Sequence, residues 1–169
     1  MAEVSSHSED AAYHPLPQVE DISVREREDA MGAYLMMFAS LGAGLPLPII
    51  NLIAAIIYYY LNKSTSRFVR FHVLQSLVSQ VPVTLLNAAG VFWAVYCLYW
   101  GAFGRSFVSY IITVVLANLV YLAFSIIACV RARRGRFYYF WFFGRWTYHR
   151  VFLIRGPDAP ETPVNLTPR

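Results

Sequence analysis

KSTSRFVRFHVLQSLVSQVPVTLLNAA, residues 63–89, passes from a basic, hydroxyl-rich opening into an apolar run that still carries Gln75, Ser76, Ser79, Gln80 and Asn87. Wound as a helix at about 100° per residue, His72, Gln75, Ser76, Ser79, Gln80 and Asn87 fall within an arc of roughly 140°. Thr84 lies beside that arc, and Phe71, Leu74, Leu77, Val78, Val81 and Leu85 take the opposite side. The spacing predicts a membrane-length helix with a polar stripe.

The surrounding chain has the composition of a membrane protein. It is 57% apolar and 17% aromatic, with a mean hydropathy of +0.44, too apolar for a soluble domain of this size. Three stretches, Ala30 to Asn62, His72 to Gly104 and Ser106 to Val130, carry no Asp, Glu, Lys or Arg. Each exceeds the ~20 residues a helix needs to cross ~30 Å of hydrocarbon. The fold class expected is all-α, a polytopic membrane bundle of four helices over about 24–43, 47–62, 65–100 and 106–131.

Acidic residues are confined to the ends of the chain. Eight of the ten precede Ala30, and the others are Asp158 and Glu161. Paired-carboxylate catalysis, carboxylate-held Mg²⁺ or Ca²⁺, and Asp/Glu proton relays are thereby excluded from the membrane part.

Residues 1–22 read as an acidic, disordered tail without the pattern of a secretory signal or transit peptide. Ser23-Val-Arg-Glu26 then fits a capping box opening the first helix. Gly42-Ala-Gly44-Leu-Pro46-Leu-Pro48 breaks the first apolar stretch, which as one straight helix would extend about 50 Å. A tight hairpin of two short helices is the preferred reading, with a single kinked span as the alternative. The striped helix is expected to be capped by Ser64 or Ser66, to kink at Pro82 and to end near Tyr99 and Trp100. The last helix runs into Arg131, Arg133, Arg134 and Arg136.

The positive-inside rule puts Lys63, Arg67 and Arg70 on the same side as the Arg131–Arg136 cluster, with only Arg105 opposite. The expected location is a bacterial cytoplasmic membrane, with several spans and both termini cytoplasmic. Residues 134–155 alternate rings and cations, including Trp141, Arg145 and Trp146. They suit an interfacial segment whose rings embed shallowly while arginines meet anionic headgroups. The partner expected is the bilayer, with other membrane proteins or a second copy beside it, and not nucleic acid. Residues 156–169 are Pro-rich and expected to be disordered.

The Gly/Pro-broken hairpin, the RFVRFHVLQSL segment with Arg67, Arg70, Phe71 and His72, and the ARRGRFYYF run resemble the small integral membrane subunit of the chloroplast inner-envelope protein import translocon and its bacterial relatives. That resemblance covers roughly Met31 to Trp146. It implies four helices and a part in moving preproteins across or into a membrane, and for most bacterial relatives no settled role.

The stripe has two readings. Polar side chains in membrane helices commonly hydrogen-bond across a bundle, each contributing about 0.6 kcal/mol. A hydrated groove, or a face for a partner or substrate, is the functional alternative. His72, near Arg67 and Arg70, reads as a neutral hydrogen-bonding imidazole. No metal or cofactor is expected, because His72, His149, Cys97 and Cys129 lack ligand spacing. No catalytic motif is present, and a His72–Ser76 pair has no acid to orient it, so the chain is not expected to be an enzyme. Two functions remain: an accessory or conducting subunit for protein translocation or membrane assembly, and a structural protein that organises lipid or responds to envelope conditions.

Overall fold

The computed structural model describes residues 13–39 and 48–154. These form five α-helices, α1 (Val24–Leu35), α2 (Pro48–Asn62), α3 (Arg67–Trp100), α4 (Arg105–Arg133) and α5 (Phe143–Phe152), with 3-10 turns at Val19–Asp21 and Met36–Phe38. No strand ladder occurs among the described residues; Tyr13 and Leu153 make one antiparallel bridge.

Local chemistry sets the helix starts. The Ser23 hydroxyl accepts the Glu26 N–H at 3.2 Å and the Glu26 carboxylate accepts the Ser23 N–H at 2.8 Å, the capping box that the sequence predicts. That carboxylate also takes a hydrogen bond from Ser66. Ser66, rather than Ser64, caps α3 by accepting the Val69 N–H. α3 is continuous through Pro82.

α3 is the hub, touched by α1, α2, α4 and α5. At about 1.5 Å per residue it is ~51 Å long and α4 ~44 Å. These two are long and apolar enough to cross a membrane. Of the four helices expected, the first two are short: α2 extends about 22 Å and α1, over Val24–Leu35, about 18 Å, against ~30 Å of hydrocarbon. Those two short helices lie side by side, since the Tyr58 hydroxyl donates to the Asp29 carbonyl at 2.9 Å. A single straight span would hold those residues at opposite ends, and here they touch. The link between the two, with Gly42, Gly44 and Pro46, lies outside the described residues.

The core is concentrated around the first half of α3. Phe68 through Ser76, Ser79 and Gln80 are buried there, whereas past Thr84 only Gly90 and Cys97 are. The second half of α3 is tied to α4 through Asn87 and Asn118 and leaves Leu85, Phe92 and Val95 exposed.

After α4, Gly135 at φ 69° reverses the chain, a left-handed conformation that costs least at glycine. Residues 136–140 then run extended back along α3, and α5 returns beside them. A Cβ on Gly144 would stand 2.6 Å from the Tyr139 Cα, so this turn closes only without a side chain there. The shallow interfacial segment expected over 134–155 is thus corrected in part. Phe137 sits between Phe68 and Phe71, with ring centroids 5.2 and 5.1 Å away, and Tyr148 and Phe152 are buried. Its rings find protein surface on the face of α3 that α1 and α2 leave uncovered, and burial there removes more apolar area from water than shallow embedding does. Trp141 and Phe142, at the turn, remain 88% and 75% exposed.

The acidic tail expected over 1–22 also differs. From Tyr13 onward the chain is packed: Tyr13 lies 5.3 Å from the Tyr148 ring, and the His14 N–H donates to the Phe152 carbonyl at 2.9 Å. Residues 1–12 and 155–169 lie outside the described residues.

Candidate functional site

Two polar layers cross the apolar bundle. The first forms where α1, α3 and the extended return meet. His72 is fully buried, and its Nδ1 lies 2.9 Å from the Tyr34 hydroxyl. Gln75 Nε2 donates to that same hydroxyl at 3.0 Å and to the Tyr138 carbonyl at 2.8 Å, while its Oε1 accepts the Phe140 N–H at 3.3 Å.

The Tyr34 hydroxyl thus accepts from Gln75 and shares a hydrogen bond with His72 Nδ1, whereas His72 Nε2 is buried without a partner among the described residues. Phe68, Phe71 and Phe137 enclose the ring, with centroids 4.7, 5.3 and 5.8 Å away. The sequence predicts a neutral, hydrogen-bonding His72 beside Arg67 and Arg70; the structure gives it Tyr34 as a hydrogen-bond partner and an aromatic box around the ring. Gln75 meanwhile supplies the donor and acceptor that a neighbouring strand would give to residues 138–140.

Ser76 Oγ donates to the Ala33 carbonyl at 2.7 Å and joins α3 to α1. Ser79 Oγ donates back to the Ser76 carbonyl at 2.9 Å, and Gln80 Nε2 reaches Ser76 Oγ at 3.4 Å. His72, Gln75, Ser76, Ser79 and Gln80 are thus brought into one interior, buried to 2% exposure or less.

Asn87 belongs to the second layer, farther along α3. It exchanges amides with Asn118 of α4, Asn87 Nδ2 to Asn118 Oδ1 at 3.1 Å and Asn118 Nδ2 to Asn87 Oδ1 at 2.9 Å. Each amide also donates to its own helix four residues back, at 2.8 Å. Sequence reasoning missed Asn118, although it is the only carboxamide between Ser106 and Val130. Tyr34 was missed too, for want of any signal separating it from an interfacial tyrosine.

The basic residues stand apart from both layers. Arg131, Arg133, Arg134, Arg136 and Arg145 are exposed, as are Trp141 and Trp146. Arg67 is exposed and donates to His14 Nε2 at 3.1 Å, while Phe71 is buried. Burial, then Arg67 and Arg70, hold the His14 pKa below the ordinary imidazole value. Among the described residues no three His, Cys, Asp or Glu side chains gather as a metal site.

A family model described as the magnetosome magnetite crystal formation protein family, MamF/MmsF, matches residues 27–147. The chain belongs to the MamF/MmsF family. No curated protein and no solved structure matches it. The MamF/MmsF match begins in α1 and ends in α5, so both polar layers and the arginines from Arg131 to Arg145 lie within it.

Membership overturns the resemblance to the chloroplast import translocon subunit, and with it the transport role. The segments that carried the likeness, Phe68 to Leu77 and Arg134 to Tyr138, both fall inside the MamF/MmsF match. Structurally, Phe68, Phe71, His72 and Gln75 are core packing against Phe137 and Tyr138. Rings and one amide at the end of a membrane helix are a packing solution open to unrelated bundles. Nor is the stripe free for a moving chain, because α1 and the return segment cover it. The protein is a membrane-associated helical member of a magnetosome family.

Proposed function

We propose that this protein is a non-enzymatic, structural component of the magnetosome membrane and acts there in magnetite crystal formation. The family match over residues 27–147 carries the reading, because it runs from within α1 to within α5 and takes in both polar layers. α3 and α4 cross the bilayer as a hairpin tied at mid-depth by the Asn87–Asn118 exchange. The short helices and the packed N-terminal segment form a rigid body toward the cytoplasmic side, and the aromatic return folds against the cytoplasmic-leaflet part of α3 and α4.

The opposite loop, Gly101 to Gly104, faces the vesicle interior. No Asp or Glu occurs from Ala30 to Pro157, so this loop offers iron ions no carboxylate ligand. The protein therefore acts on the membrane and its neighbours rather than by templating mineral with acidic groups.

Deletion of the gene in a magnetite-forming host, followed by electron microscopy of the crystals, tests this. Crystals are expected to be smaller or altered in habit, and restored by the full-length chain but not by one carrying Asn87→Leu with Asn118→Leu. An unchanged crystal size distribution in the deletion strain removes the proposal.

A further inference from the structure

A cavity of about 500 Å³ opens sideways between α3 at Pro82, α4 at Ala117, Val120 and Phe124, and residues 138–143 of the aromatic return. Its walls are apolar, and a buried water needs two to four polar partners, so water is a poor occupant. Val120 and Phe124 are 56% and 45% exposed, which leaves the groove open toward lipid.

Helical register ties this groove to a cation. At about 100° per residue Ala117, Val120, Phe124 and Arg131 share an arc of roughly 60° on α4, and about 21 Å of helix separates the first from the last. The Arg131 guanidinium lies over the Tyr138 ring, 5.9 Å from its centroid, and Tyr138 lines the same cavity. One leaflet of hydrocarbon is about 15 Å deep, so an arginine reaching for the headgroup layer at one end matches an apolar slot for chain carbons at the other. The Arg131 guanidinium, with no salt-bridge partner among the described residues, suits an anion.

We propose that the groove is a binding site for one anionic phospholipid of the cytoplasmic leaflet, its acyl chain lying between Pro82 and Phe124 and its phosphate on Arg131. The site rests on the membrane residence in the function proposed above and not on the role in crystal growth. It gives the protein a means of gathering anionic lipid around the α3–α4 hairpin.

The full-length protein, delipidated and returned to nanodiscs, is examined by native mass spectrometry with phosphatidylglycerol or phosphatidylcholine of identical chains. A phosphatidylglycerol bearing a photoreactive acyl chain then maps the contact. One phosphatidylglycerol is expected to be retained about tenfold more tightly than phosphatidylcholine, with acyl cross-links at residues 117–124 and 138–143. Arg131→Gln is expected to bring the two lipids to near equality while the cross-links stay in place. Val120→Trp, or Ala117→Phe should the first fail to fold, is expected to abolish retention of both with unchanged helicity.

An unaltered lipid preference in Arg131→Gln overturns the proposal, as do acyl cross-links elsewhere on the protein. So does a groove-filling variant that changes subunit number and not lipid retention, since a second copy then occupies the groove. These are readings of purified protein, so a normal crystal phenotype leaves them intact and refutes only the cellular role.

Discussion

Gln75 satisfies three groups at once, the Tyr34 hydroxyl, the Tyr138 carbonyl and the Phe140 N–H. Gln75→Leu preserves helix propensity and approximate volume but leaves the two backbone groups buried without partners. Each such group costs about 1–3 kcal/mol, so the variant is expected to lose about 2–4 kcal/mol. Asn87→Leu is expected to lose only about 1 kcal/mol, the scale of a hydrogen bond between membrane helices whose unfolded reference state also finds partners. Denaturation of both variants in mixed micelles checks the ranking, and equal losses would mean that Gln75 does not hold the return segment. That Gln75 and Asn87 share a face was legible from their spacing along the helix. Their different weights were not, because weight depends on what each amide meets across the bundle.

At the level of elements, the N-terminal segment from Tyr13 to Asp21 is joined to the rest by the His14–Phe152 backbone bond and by Arg67 donating to His14. His14 must be neutral to accept that hydrogen bond, and its pKa is lowered by burial, then by Arg67 and Arg70. Its contribution to docking is therefore complete above the unfolded imidazole value, about 6.5, and is lost as pH falls below it, where the undocked segment takes up the proton first. Hydrogen exchange at the His14 amide, corrected for intrinsic rate, is expected to quicken between pH 7.5 and 5, and His14→Gln is expected to remove that dependence. Glu26, held below the usual carboxylate value first by the Ser66 hydrogen bond, acts in a separate window. Its contribution is present above about pH 4.3 and lost in stronger acid. The capping box and the ends of α3 and α4 were readable from residue order, since caps and charge-free runs are local. The docking of residues 13–22 was not, because an acidic, Pro-containing segment has no pattern naming the distant Phe152 and Arg67 it meets.

For the whole molecule, two long helices with short ones packed along half their length predict a defined sidedness. Under the positive-inside rule Ser64 lies on the cytoplasmic face and Ser106 on the other. A cysteine placed at Ser64 in a Cys97→Ala, Cys129→Ala background is expected to react with a membrane-impermeant maleimide from the cytoplasmic side, and one at Ser106 only from the opposite side. Reaction of both from one side would remove the hairpin crossing of α3 and α4. Residue order by itself determined that this is a helical membrane chain, where its long helices run, which face of α3 is polar and that no carboxylate lies between Ala30 and Pro157. Those are consequences of hydropathy, helical period and charge, each a property of neighbouring residues. Only the tertiary structure decided that α1 and α2 lie side by side, that the aromatic return packs on α3, and that the stripe is closed over by Tyr34, Ala33 and the backbone of residues 138–140. The physical reason is that periodicity names a face but not its cover. Here the cover is supplied largely by backbone carbonyls and N–H groups, which every residue carries and no sequence pattern distinguishes.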